Sequence, residues 1–131
     1  MFKSYFLMGL AVSLISSLGA IIYVTKYYEV LANFSLILPL GKIIATYFTV
    51  GLSISGLCFL SNRLAPKFGS FIFNIVLVFA TLSSIIFPIM KQDFPETLEM
   101  TEFYPGFVIP LHFILPLFWL ALSPLIKKNE N

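Results

Sequence analysis

Charged and turn-forming residues cut this chain into four apolar blocks. They are YFLMGLAVSLISSLGAIIYVT (5–25), IIATYFTVGLSISGLCFL (43–60), FGSFIFNIVLVFATLSSIIFPIM (68–90) and GFVIPLHFILPLFWLALSPLI (106–126). Lys26 ends the first, Lys42 and SNRLAPK bracket the second, KQD closes the third, and Lys127 and Lys128 close the last. Each is about as long as a helix needs to cross a hydrocarbon core of roughly 30 Å. Helix is the predicted element because every backbone group must be paired inside lipid. A membrane strand would show alternating polarity, and these blocks show none. The fold class expected is all-α: an antiparallel bundle of four transmembrane helices, one domain over 1–131, without internal repeats.

The connections differ in character. SNRLAPK is short and predicts a tight hairpin between the second and third blocks. KYYEVLANFSLILPLGK (26–42) is longer and largely apolar, and Tyr23, Tyr27 and Tyr28 beside it suit the headgroup zone, where amphipathic rings collect. FSLILPLG either lies in the interface, dips against the bundle, or extends the second helix outward with Pro39 near its first turn. KQDFPETLEMTEFYPG (91–106) is the strongly polar connection.

Within each block one stripe is small or polar. Gly9, Ser13 and Ser17 recur every four residues, with Ser16 and Ala20 beside them. Thr46, Thr49, Ser53 and Gly56 share a face of the second helix, where Gly51 also precedes Ser55 by four. Ser70, Asn74, Thr81 and Ser84 make a row reaching Pro88, and His112, Pro116, Trp119 and Ser123 make another. Lipid tails are as apolar as leucine, so membrane helices associate through close packing and interhelical hydrogen bonds rather than burial. The four stripes are therefore expected to turn inward, as helix glue.

Composition agrees: 59% of the 131 residues are hydrophobic and 11% charged, where a soluble domain carries about a quarter charged. Lys3 and the small Ser17 and Gly19 imitate a cleaved leader, but the run continues to Lys26, so it is read as an uncleaved first span. Four crossings put Lys3, Arg63, Lys67, Lys127 and Lys128 on one side and Lys26, Lys42 and Lys91 on the other. Five against three predicts a cell-membrane protein with both termini cytoplasmic. Nucleic acid is not an expected partner, since no basic run is interleaved with exposed aromatics. The lone Cys58 makes no intrachain disulfide and reads as a packing residue.

The one histidine, His112, sits inside the last block between Pro110 and Pro116. Those prolines lack N–H donors and free carbonyls near 106 and 112, openings that admit a partner hydroxyl or water. Ionisable groups within a membrane are candidate functional groups, yet a neutral imidazole is satisfied equally well by hydrogen bonding to Asn74 or a neighbouring hydroxyl. Both readings stay open. Glu96, Glu99 and Glu102 recur every three residues after Pro95, so a short helix would gather them on one side, near His112 and Tyr104 at an outer mouth. No HExxH and no Cys/His zinc spacing accompany them. No metal and no cofactor is expected.

Several functions are argued down. A bis-histidine haem site needs a second histidine. Small multidrug exporters carry a carboxylate in their first helix, fluoride channels an arginine signature, and proton pumps acidic chains; all are missing here. No nucleophile–base pair suggests hydrolysis, so an enzyme is not expected. The ending FYPGFVIPLHFILPLFWLALSPLI, after the acidic loop and SIIFPI, resembles small four-helix bacterial integral membrane proteins that carry no known activity. That resemblance implies a fold and no mechanism. The function expected is a non-enzymatic accessory or interaction protein of the membrane, its partners the lipid bilayer and a membrane protein or a second copy of the chain. The alternative is a small-solute or ion transporter or binding protein using the mouth at His112, Glu96, Glu99, Glu102, Tyr104 and Asn74. A water-accessible cavity running from the outer loop past His112 to Asn74 would favour transport, and a packed seam the accessory role.

Overall fold

A computed structural model describes residues 2–125, so the last turn at 126 and the basic pair Lys127 and Lys128 lie outside the described residues. Helix α1 runs Phe2–Val30, α2 Leu40–Leu64, α3 Gly69–Ser84, α4 Ile86–Met90 and α5 Tyr104–Leu122, the last preceded by a 3-10 turn at Thr101–Phe103. No strand occurs among the described residues. With α3 and α4 taken as one segment and the 3-10 turn joined to α5, four helical segments are long and apolar enough to cross a membrane.

The ends of these helices follow from local chemistry. Helix α1 continues past Lys26 because that ammonium pairs with Glu29 one turn on, at 2.9 Å and exposed, a spacing that supports a helix. It stops where Leu31 and Ala32 N–H both turn to the Tyr27 carbonyl, and the Asn33 side chain then accepts from Ser35 N–H at 2.9 Å, an Asx turn. Phe34 is thereby thrown into the bundle end, fully buried, while Pro39 stands extended at the head of α2. FSLILPLG thus both dips against the bundle and leads into the second helix.

The 65–68 turn is tied tightly. Ser61 hydroxyl donates to the Gly69 carbonyl at 2.9 Å and Ser70 hydroxyl to Asn62 Oδ1 at 2.8 Å. Any side chain at Gly69 would collide with the Ser61 carbonyl. The third block, predicted as one helix over 68–90, is broken at Ile85 into α3 and α4. Pro88 causes this: it has no N–H for the Ser84 carbonyl, and its ring crowds that carbonyl.

Packing is closest between α1 and α2. Ser55 hydroxyl donates to the Tyr5 carbonyl at 2.6 Å, and Ser13 hydroxyl reaches the carbonyls of Gly9 (2.7 Å) and Tyr47 (3.3 Å). A Cβ at Gly9 would lie 2.6 Å from Ser55 Cβ, so the two backbones touch through small residues, as in membrane helix pairs. Helix α5 lies against α1 through Gly19, whose added Cβ would meet Phe118 and Ile114. It lies against α3 through Trp119, fully buried and edge-on to Phe73 at 6.0 Å.

Not every polar stripe turns inward. In α2, Thr46, Thr49 and Ser53 are exposed, each hydroxyl donating to the carbonyl four residues back. The buried face is instead Ile43, Tyr47, Gly51, Ile54, Ser55 and Cys58. A row of β-branched threonines would hold two backbones apart, whereas Gly51 and Ser55 let α1 approach. In α3 and α4 the inner row includes Phe73, Leu77, Thr81 and Pro88, with Ser70, Asn74 and Ser84 half-buried. In α5, only Trp119 of the predicted row is buried; His112, Pro116 and Ser123 lie half-buried at its side.

Candidate functional site

The end of the fold that carries the 31–39 and 91–103 connections, the place of the expected mouth, is filled by aromatic rings. Phe34 and Phe107 are fully buried there with centroids 5.3 Å apart. Tyr104 stands edge-on to Phe34 at 5.5 Å and to Phe94 at 5.1 Å, the T-shaped geometry the ring quadrupoles favour. Lys91 ammonium lies 5.6 Å and 5.8 Å from the Phe94 and Tyr104 centroids, within cation–π range. Three phenols lock the cluster to backbone. Tyr23 donates to the carbonyls of Gly106 (3.2 Å) and Phe107 (3.1 Å), Tyr27 to Phe103 (3.0 Å) and Tyr28 to Leu38 (2.8 Å). The Gly106 carbonyl is the one Pro110 leaves without its helical donor, so the opening made by this proline is taken by Tyr23.

The glutamates do not converge. Residues 91–100 are not helical; a turn closed by Leu98 N–H on the Pro95 carbonyl occupies the middle, and Met100 adopts a left-handed backbone (φ 57°). Glu96, Glu99 and Glu102 are all exposed. The predicted helix fails because Pro95 and the left-handed Met100 leave too few residues between them to nucleate one. Among the described residues no group of three His, Cys, Asp or Glu side chains is placed to hold a metal.

His112 and Asn74 line different spaces. Asn74 faces a cavity of about 200 Å³ beside Tyr5, Cys58, Ser70 and Ser123, with its buried Oδ1 unpaired. His112 lines a groove of about 670 Å³ between α2 and α3, floored by α5. Val50 and Leu57 of α2 and Val76 and Ala80 of α3 stand on its two rims and are exposed, so it opens sideways rather than along the bundle. Leu111 and Leu115 make part of its floor, and among the described residues no charged side chain lines it.

The chemistry of this groove is set by how its polar groups are already committed. His112 Nδ1 lies 3.0 Å from the Val108 carbonyl. A carbonyl only accepts, so Nδ1 carries the proton, and in the neutral ring Nε2 presents a lone pair. Tyr47 hydroxyl donates to the Leu111 carbonyl at 2.7 Å, Thr46 to Lys42 at 2.8 Å, Ser53 to Thr49 at 2.8 Å, Thr81 to Leu77 at 2.8 Å and Ser84 to Thr81 at 2.7 Å. The remaining hydroxyl, that of Tyr104, belongs to a ring packed in the aromatic cluster, about 12 Å along α5 from His112. At the level of His112 the groove therefore offers acceptors and no donor.

Of the predicted residues, His112 and Tyr104 border this groove, Asn74 lies elsewhere, and the glutamates stay in solvent. Tyr47 and the Thr46–Ser53 row were missed as groove residues. The available signal was that the threonine row and the Gly51–Ser55 row cannot both face α1, so one of them had to line another surface. No family model matches the chain, and comparison with the curated proteins and with the solved structures gives no match.

Proposed function

We propose that this chain is a non-enzymatic accessory protein of the cell membrane. Its four helical segments each cross the bilayer as an antiparallel bundle with both termini cytoplasmic, and it acts through its lateral groove by holding a small neutral molecule dissolved in the bilayer. The order of interhelical contacts supports the antiparallel arrangement. Tyr5 meets Ser55 and Ser13 meets Tyr47, while Tyr27 meets Phe103 and Tyr23 meets Phe107. The basic-residue asymmetry supports the orientation.

The observation that carries the reading is where space lies. The axial end is plugged by Phe34 and Phe107, and the large groove opens toward the surrounding medium with no charged side chain among the described residues of its walls. A solute path would have to part an aromatic cluster held by three phenol–backbone bonds.

Vesicles carrying the purified protein test this. They should show no ion or small-solute flux above protein-free vesicles, while Ala80→Trp, which fills the groove, should abolish the stabilisation that a neutral amphiphile gives the native protein. Flux that survives Ala80→Trp and rises with Phe34→Ala would establish an axial path and sink the reading.

A further inference from the structure

We infer that the occupant of the lateral groove is a long-chain alcohol: an uncharged amphiphile whose hydroxyl donates to His112 Nε2 and whose hydrocarbon chain lies along α2 and α3. This rests on the reading that the groove is a binding site, and it adds the chemistry that decides what enters.

Three observations converge on it. First, the described residues of the walls include no Asp, Glu, Lys or Arg, so an ionised head, whether phosphate, carboxylate or ammonium, would be buried without a counter-charge, an unfavourable transfer. The ligand is neutral. Second, the hydroxyls of Tyr47, Thr46, Ser53, Thr81 and Ser84 have spent their protons on backbone carbonyls, and His112 has spent its Nδ1 proton on Val108. A ligand that can only accept, such as an ester, ether or ketone, finds no donor beside the imidazole, whereas a hydroxyl finds the Nε2 lone pair. Third, below the level of Tyr47 the walls are mainly hydrocarbon: Val50, Ile54 and Leu57 from α2, with the Ser53 hydroxyl among them bonded back to Thr49, and Phe73 and Leu77 from α3. From Tyr47 to Leu57 that sleeve runs roughly 15 Å, long enough for an extended alkyl chain and lined to match it.

His112 is half-buried at the groove, and its Nε2 has no hydrogen-bond partner among the described residues. The alcohol supplies that missing donor. The same geometry makes the site selective: it discriminates by hydrogen-bond polarity, and replacing the ligand O–H by O–CH₃ removes the donor while keeping the chain.

The test uses the full-length protein in nanodiscs, with radiolabelled hexadecanol as probe and hexadecyl methyl ether and hexadecane as competitors. Hexadecanol should bind about tenfold more tightly than the ether, the effect of one ordinary hydrogen bond. His112→Phe should bring the alcohol down to the affinity of the ether and leave the ether unchanged. Ala80→Trp should abolish binding of all three. Should His112→Phe fail to fold, the alcohol–ether comparison on the native protein decides alone. Equal binding of alcohol, ether and alkane, or preference for the ether, overturns the donor assignment but leaves the groove as an apolar site. Saturable binding of none of them overturns both this inference and the groove reading.

Discussion

Replacing Gly9 by alanine adds one methyl group where α1 meets α2, and the geometry gives that change a definite sign. The new Cβ would lie 2.6 Å from Ser55 Cβ and 3.2 Å from the Gly51 carbonyl oxygen, whereas carbon atoms rest about 3.5–4.0 Å apart. Both Cβ atoms are fixed to helical backbone, so no rotamer change relieves the clash; the helices must separate by about 1 Å. That separation stretches Ser55–Tyr5, now 2.6 Å, and Ser13–Tyr47, already 3.3 Å, beyond hydrogen-bonding range. Overpacking costs about 1–3 kcal/mol, and two interhelical hydrogen bonds add roughly 0.6 kcal/mol each. Alanine's better helix propensity returns about 1 kcal/mol. The net expectation is a loss of about 1–3 kcal/mol. Gly56, with nothing within 4 Å of an added Cβ, is the control: Gly56→Ala should stabilise by up to about 1 kcal/mol. Reversible unfolding in mixed micelles of rising SDS content, followed through the fluorescence of buried Trp119, reads both. Adding Ser55→Gly to Gly9→Ala should recover part of the loss. If Gly9→Ala is as harmless as Gly56→Ala, the α1–α2 contact is not the one described.

Three further outcomes follow from the same geometry. Tyr23→Phe should destabilise by roughly 0.6–1.7 kcal/mol, and the penalty should shrink in a Pro110→Ala background, where a new backbone N–H serves the Gly106 carbonyl; an undiminished penalty in a double-mutant cycle would refute the coupling. Tyr47→Phe should cost a similar amount by unpairing the Leu111 carbonyl from a 2.7 Å bond, measured by the same unfolding assay, and no loss would mean that the bond is not formed. With Cys58 replaced by alanine, Lys67→Cys should react with an impermeant maleimide only from the cytoplasmic side and Asp93→Cys only from the opposite side. Labelling of both from one side would refute the proposed topology.

Hydropathy alone marked four apolar helical segments, because their length and lack of charge are properties of the residues in order, independent of neighbours. Local chemistry explains the tight 61–70 turn and the break near Pro88, although the unbroken hydropathy of the third block hides that break. The choice between stripes was different. Thr46, Thr49 and Ser53 and the rival Gly51 and Ser55 carry the same periodicity, and only the approach of Gly9 and Ser13 from another helix decides which row is buried. The expected mouth failed for a related reason. Nothing in KYYEVLANFSLILPLGK announces that Phe34 folds back onto Phe107, a contact spanning 73 residues of sequence.

His112 shows the division most plainly. Its place inside an apolar run between two prolines was legible from the order of residues, and so was the ambiguity between structural and functional roles. Tertiary structure decided which nitrogen is committed, which carbonyl holds it, and that the residue borders a sideways groove. Periodicity assigns a residue to a face of its own helix, but what that face meets depends on helices far away in sequence. In this chain that meeting is governed by a few glycines and serines small enough to let backbones touch.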